Sequence, residues 1–176
     1  MRHKPLVLIL GRTGSGKDTL ASHLPLSQLK SYTTRPRRVN ESDTHIFVDE
    51  DFYKSCRDII AQTTINGYHY FCTADQLNNS DLYIIDPVGQ RILNDAYPGL
   101  PTVAIYISAP YSLRRNRALT QRGDDITTFI SRNNSEYAQF TQYEQDHGYD
   151  YIIENRNLAA SLAQLNAILK YEGVIS

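Results

Sequence analysis

A three-layer α/β protein, with a parallel sheet covered by helices on both faces, is the fold class that this 176-residue sequence predicts. Three observations predict it. An apolar run of strand length, Leu6-Val7-Leu8-Ile9-Leu10, enters the glycine-rich loop Gly11 to Gly16 and leaves it into a short helical segment, Leu20 to Leu24, which Pro25 ends. From about residue 80 onward, apolar strands alternate with helical segments, the pattern of crossover units in a parallel sheet. Between these parts lies a local β element, two β-forming runs joined by Asn66-Gly67.

Taken in order, Ser27 to Thr34 reads as a second strand running into Arg35-Pro36-Arg37-Arg38, where proline and clustered charge predict an exposed loop. His45 to Val48 is a short strand. Asp49-Glu50-Asp51 supplies negative charge to the start of a helix over Phe52 to Cys56, where the helix dipole favours it. Ile59 to Ile65 and Tyr68 to Cys72 flank Asn66-Gly67, a dipeptide that tolerates the positive φ angles of a type I′ hairpin turn. Leu82 to Ile85 is a strand ending at Asp86, and a helix runs from Pro87 to about Asp95. Thr102 to Ile107 is a buried strand, followed by helices from about Pro110 to Gln121 and Asp125 to Gln145. The strand Tyr151 to Ile153 and a helix over Leu158 to Tyr171 complete the pattern. In such sheets ligands sit beyond the carboxyl ends of the strands, where Gly11, Asp86 and Ser108 fall.

The length suits a single domain over residues 1–176, with the core in 1–30 and 80–176 and a β insertion over about 31–79. Lys and Arg number 18 against 19 Asp and Glu, so no overall field favours nucleic acid or a membrane surface, and neither is an expected partner. The five-residue apolar run near the N-terminus is too short for a signal peptide, and no stretch approaches membrane-spanning length; the expected location is the cytoplasm. Cys56 and Cys72 lack metal-ligand spacing and read as free thiols.

The chemistry begins at Gly11-Arg12-Thr13-Gly14-Ser15-Gly16-Lys17-Asp18-Thr19. Strand, glycine loop and helix in that order form a P-loop, in which backbone N–H groups surround a phosphate and Lys17 adds a point charge. Asp18 stands where Ser or Thr usually reaches Mg²⁺. A second phosphate site is indicated by Ser31-Tyr32-Thr33-Thr34-Arg35-Pro36-Arg37-Arg38, since arginine forks bind phosphate oxygens bidentately and hydroxyls complete the shell. One phosphate donor and one phosphate acceptor make a kinase. Arg114, Arg115, Arg117, Arg122 and Arg132 surround a break at Arg122-Gly123-Asp124-Asp125, which makes about residues 111–135 a candidate lid bringing cations to a transferring phosphoryl group. Arg114 and Arg115 read as the solvent face of an amphipathic helix, and Arg122 and Arg132 as the functional pair. Asp86 can hold a magnesium-bound water or accept hydrogen bonds from a base, and before Pro87 it is also a suitable helix N-cap.

With these residues aligned, the chain resembles the guanylate kinase family of P-loop nucleoside monophosphate kinases over nearly its whole length. Ser31 to Arg38 is similar to that family's monophosphate loop, Asn66-Gly67-Tyr68-His69-Tyr70 to its hairpin and Ile85-Asp86-Pro87-Val88-Gly89 to its acidic strand end. Ala109-Pro110 through Arg122-Gly123 and Arg132 resembles its lid, and Tyr149 to Asn155 the segment whose asparagine touches adenine. The resemblance implies a three-layer P-loop NTPase fold with a β-hairpin acceptor-binding insertion and a helical lid. It also implies ATP and Mg²⁺, with GMP, dGMP or a related nucleoside monophosphate as acceptor. Ser31, Arg35, Arg38, His45, Tyr70, Thr73 and Asp86 would form the acceptor site; Lys17, Arg122 and Arg132 would surround the phosphoryl group; Asn155 would join residues 11 to 19 in binding ATP. Four positions depart from the family. Asp18 replaces the magnesium hydroxyl, and Lys17-Asp18-Thr19 looks like phage-type deoxynucleoside monophosphate kinases, with Asp18 as metal ligand and Thr19 as fallback. His45 stands for a phosphate-binding tyrosine, Ile84 for an aspartate, and Ala61-Gln62 for the glutamate that pairs with guanine. The last change points to a relaxed-specificity deoxynucleotide kinase as one alternative. A guanylate-kinase-like binding module that has lost catalysis is another.

Overall fold

The computed structural model describes residues 4–37, 45–65 and 67–176. Strand β1, Leu6–Leu10, is followed by helix α1, Lys17–Ser22, and the short strands β2, Gln28–Leu29, β3, Tyr32–Thr33, and β4, Ile46–Phe47. Helix α2, Glu50–Ser55, precedes the antiparallel strands β5, Ile59–Ile65, and β6, Tyr68–Thr73. Helix α3, Ala74–Asn78, leads to β7, Leu82–Ile84, α4, Pro87–Ala96, and β8, Thr102–Ser108. Helices α5, Tyr111–Thr120, and α6, Ile126–Gln145, then strand β9, Tyr151–Glu154, and helix α7, Leu158–Tyr171, end the chain.

Two sheets result. The larger has the order β2-β7-β1-β8-β9, and every neighbouring pair in it is parallel. All five residues of central β1 are fully buried, as a strand covered on both faces requires. Its alternate side chains build two cores. Leu6, Leu8 and Leu10 join Leu93 of α4 and Phe140 and Tyr143 of α6. Val7 and Ile9 join Leu20 of α1 and Leu165 and Leu169 of α7. Helix, sheet and helix are thus the three layers, and truncating a β1 leucine to alanine costs about 2–5 kcal/mol.

The smaller sheet has the order β4-β3-β6-β5 and is mixed, with β3 parallel to β4 and antiparallel to β6. The expected hairpin is present, with Gly67 at φ 80 in the left-handed region; Asn66 lies outside the described residues.

Three expectations are corrected. The run Ser27 to Thr34 is not one strand, because β2 joins the large sheet and β3 the small one, so the chain changes sheet at Lys30 and Ser31. Arg35 is not exposed: it is 8% accessible, packed over the Phe47 ring 5.4 Å away. Helix α3 adds an element where none was expected, started by a capping box in which Thr73 accepts from Gln76 N and the Gln76 side chain accepts from Thr73 N. No helix among the described residues is long and apolar enough to cross a membrane.

Candidate active site

The loop after β1 turns tightly because Gly14 and Gly16 take φ values of 75 and 88, and Ser15 N donates to Arg12 O at 3.0 Å across the turn. A Cβ at Gly14 would strike the Arg114 carbonyl, and one at Gly16 the Asn155 amide, so both positions need glycine. Lys17 and Asp18 follow at the start of α1, with Nζ and Oδ2 3.5 Å apart.

The loop is held from behind by side chains far away in sequence. Ser15 O accepts from Asn155 Nδ2 at 2.8 Å and from Arg117 Nη1 at 3.1 Å. Thr13 is a junction: its N–H donates to Glu136 Oε1 at 2.6 Å, its carbonyl accepts from Arg114 Nη1 at 3.1 Å, and its hydroxyl accepts from Arg122 Nη2 at 3.1 Å. Helices α5 and α6 and the turn between them therefore all close on one P-loop residue. Burial pushes the Glu136 carboxyl above its ordinary value, against the opposing pull of Thr13 N–H, Lys17, Arg114 and Arg12.

The P-loop side chains diverge in use. Arg12 turns away from the phosphate position: Nε and Nη2 donate to Glu144 at 3.1 and 3.0 Å, and the guanidinium lies 5.6 Å from the Phe140 ring centroid. Tyr106 OH donates to the same Glu144, tying the loop to the core. Thr19 is exposed and lies apart from the cavity that Asp18 lines.

That cavity, about 860 Å³, joins three groups of residues. Gly11, Thr13, Lys17 and Asp18 come from the P-loop. Arg122, Arg132, Ser135 and Glu136 come from α6 and the turn before it. Ser31, His45, Tyr70 and Asp86 come from the small sheet and the end of β7. On this third side Ser31 Oγ lies 2.9 Å from His45 Nδ1, and the His45 ring meets Tyr70 edge-on at 5.7 Å. Arg35 acts one step back, its Nε donating to Tyr70 OH at 3.0 Å. Asp86 caps α4, accepting from Gly89 N at 2.6 Å, and burial pushes its carboxyl upward while the Gly89 and Val88 N–H groups pull it down.

Strand register decides what β5 shows the cavity. Ala61 and Thr63 pair with Cys72 and Tyr70, so they share the face that carries Tyr70. Gln62 pairs with Phe71 on the opposite face and donates to Tyr53 OH at 2.6 Å. Both Ala61 and Gln62 line the cavity, but the Gln62 amide nitrogen is spent on Tyr53, so this position offers the cavity no carboxylate.

Other expected site residues fall elsewhere. Thr73 caps α3 and does not line the cavity. Asn155 is 2% accessible and spends both amide atoms on protein, Nδ2 on Ser15 O and Oδ1 accepting from Ser161 Oγ at 3.1 Å. Arg38 lies outside the described residues. Arg114, expected on a solvent face, is 6% accessible and structural to the loop, a correction the adjacent Arg114-Arg115 pair conceals because only one of two neighbours on a helix can face inward. Glu136 was missed in the sequence. Its spacing of four residues from Arg132 puts both on one face of α6, and that was the available signal.

Fold and loop together are an α/β architecture with a glycine loop at the carboxyl end of its central strand, consistent with the P-loop NTPase class. Comparison with known proteins narrows the class. The chain is homologous, at a distance, to guanylate kinases: it is 29% identical to that of Alkalilimnicola ehrlichii over 93% of this chain and 86% of that one. With the guanylate kinase of Bartonella henselae it shares 28% identity, covering 96% and 82%. The crystal structure of guanylate kinase from Anaplasma phagocytophilum superposes with a TM-score of 0.66 at 21% identity, covering 98% of this chain and 88% of that one, which establishes the shared fold. No family model matches the chain.

Proposed function

We propose that this protein is an ATP-dependent nucleoside monophosphate kinase that transfers the γ-phosphoryl group of ATP to GMP, dGMP or a related nucleotide. The observation that carries this reading is the single cavity: a P-loop with Lys17, the arginines Arg122 and Arg132, and a second polar wall of Ser31, His45, Tyr70 and Asp86 all face it. Its volume, about 860 Å³, is in the range of nucleotide-sized sites. Distant homology to guanylate kinases supports phosphotransfer to a nucleoside monophosphate in general. Guanine as the base is the finer part of the proposal.

In-line phosphoryl transfer needs positioning and charge stabilisation more than acid–base chemistry. Loop N–H groups and Lys17 hold the donor phosphates; Ser31, His45 and Tyr70, with Arg35 orienting Tyr70, hold the acceptor phosphate; Arg122 and Arg132 face the space between. Asp86 faces the acceptor base. The contacts of α5, α6 and the turn between them with Thr13 hold the lid arginines against the donor loop. The site also fits Mg²⁺, which takes one or two carboxylates and completes its shell with substrate phosphates and water. Asp18, which lines the cavity beside Lys17, would hold it in preference to Thr19, which does not line the cavity. When bound, the ion neutralises charge on the transferring phosphates.

A second reading, relaxed base specificity, is favoured by Ala61-Gln62, where no carboxylate is present to accept the guanine N1–H and 2-amino hydrogens together. An ADP-release assay with ATP and Mg²⁺ against GMP, dGMP, AMP, dAMP, CMP, dCMP, UMP and dTMP tests both. Turnover restricted to guanine acceptors supports the first reading, and broad turnover the second. No turnover from protein that binds ATP would remove both in favour of a binding module.

A further inference from the structure

Both guanidiniums that the proposed reaction needs are held by one carboxylate. In the turn between α5 and α6, Asp124 Oδ2 accepts from Arg122 Nε at 2.9 Å and from Arg122 Nη2, and Arg132 Nη1 lies 3.4 Å from the same oxygen. Asp124 is itself fixed. Its N–H donates to Ala118 O at 3.0 Å, Gly123 before it takes φ 75, and its side chain is only 10% accessible. Arg122 Nη2 also donates to Thr13 Oγ1, so protein occupies the Nε and Nη2 edge of that fork. Its Nη1 remains for a ligand in the cavity that both arginines line.

The physical need for such a clamp is plain. Two arginines converging on a site that already contains Lys17 repel one another, and a long side chain that is 41% accessible, as Arg122 is, loses rotamer freedom when held in one place. A carboxylate between them removes both obstacles before substrate arrives. We propose that Asp124 is a positioning residue for phosphoryl transfer, clamping Arg122 and Arg132 as one unit anchored to Thr13, with Arg122 Nη1 left for the transferring phosphoryl. It forms no bond to substrate and exchanges no proton. The inference rests on the kinase reading above.

Asp124→Ala and Asp124→Asn test it, assayed with ATP and the best acceptor of the panel. For the alanine variant kcat falls roughly 10- to 100-fold, the range for misplaced catalytic groups, while KM for either nucleotide changes less than about threefold. The asparagine variant, equal in size and keeping one acceptor oxygen but no charge, falls in the same direction by less. A purely structural role would lower the melting temperature without this split. Binding of ADP with aluminium fluoride and acceptor, a mimic of the transferring phosphoryl, therefore serves as second readout: it weakens in the variants while ADP alone binds as before. If the alanine variant fails to fold, the asparagine variant and the mimic decide. A kcat within twofold of wild type, or above it, overturns the clamp, since a rise would mean that Asp124 holds the arginines back. Wild-type protein that phosphorylates no acceptor overturns the kinase reading and the clamp together, whereas active wild type with unaffected variants overturns the clamp alone.

Discussion

Replacing Arg114 by leucine tests how α5 supports the P-loop. The substitution keeps apolar bulk at a site 6% accessible but removes every donor from it. Arg114 Nε donates to Ala109 O at 3.2 Å, Nη1 to Thr13 O at 3.1 Å, and Nη1 and Nη2 to Asn133 Oδ1 at 3.1 and 3.2 Å. Three acceptors are thus left without this donor, and an unsatisfied buried acceptor costs about 1–3 kcal/mol. Thr13 lines the cavity and Asn133 is half-buried, so both regain water and the low end applies, about 3 kcal/mol in sum. Burial of the guanidinium pushes its pKa down, which shows a desolvation cost that leucine escapes, leaving about 2–3 kcal/mol net. For a chain of this length each kcal/mol moves the melting temperature by about 2–4 °C, so a fall of roughly 5–10 °C is expected. Thermal unfolding by circular dichroism without nucleotide measures it, with Arg115→Leu as the control, because Arg115 is exposed. Melting temperatures equal to within about 1 °C for the two variants would refute the reasoning.

Asn155→Ala removes two buried hydrogen bonds, each worth about 1 kcal/mol net, so the melting temperature of nucleotide-free protein should fall several degrees. An unchanged melting temperature with a raised KM for ATP would instead make Asn155 an adenine contact. Lys17→Ala should abolish turnover while the far-UV circular dichroism spectrum stays as in wild type; near wild-type turnover would remove the P-loop mechanism. Burial pushes the Glu144 carboxyl up, but hydrogen bonds from Arg12 and Tyr106 outweigh it and hold the group below its ordinary value of 4.5. A group with a depressed folded pKa contributes stability above its unfolded value and loses it as pH falls through the folded one. Glu144→Gln should therefore flatten part of the acid limb of melting temperature against pH below 4.5, and a curve parallel to wild type would contradict this.

The larger sheet was legible because strands covered on both faces are continuous apolar runs: β1 and β8 announce themselves in Leu6 to Leu10 and Thr102 to Ile107. The hairpin was legible through Asn66-Gly67. What was not legible depends on contacts far apart in sequence. Nothing local marks Lys30 and Ser31 as the place where the chain changes sheet, since β-forming residues continue on both sides. Helix α3 did carry a signal, the capping box Thr73 to Gln76, but five residues give little apolar periodicity to confirm it. Within the site, the tight glycine turn was legible from spacing, and Gly14 and Gly16 do take positive φ. The roles of Arg114 and Asn155 were not legible, because they are set by Thr13 O and Ser15 O, 101 and 140 residues away. The same holds for Gln62, whose direction follows from pairing register and the position of Tyr53.

The account rests on phosphoryl transfer between two nucleotides in one cavity. Incubating the protein with Mg²⁺, GMP and ATP labelled in the γ-phosphate, and then separating the products, tests that most directly. Label recovered in the β-phosphate of GDP, matched by ADP formed, is the predicted result. Label recovered only as inorganic phosphate, or retained in ATP with every monophosphate supplied in place of GMP, would contradict it.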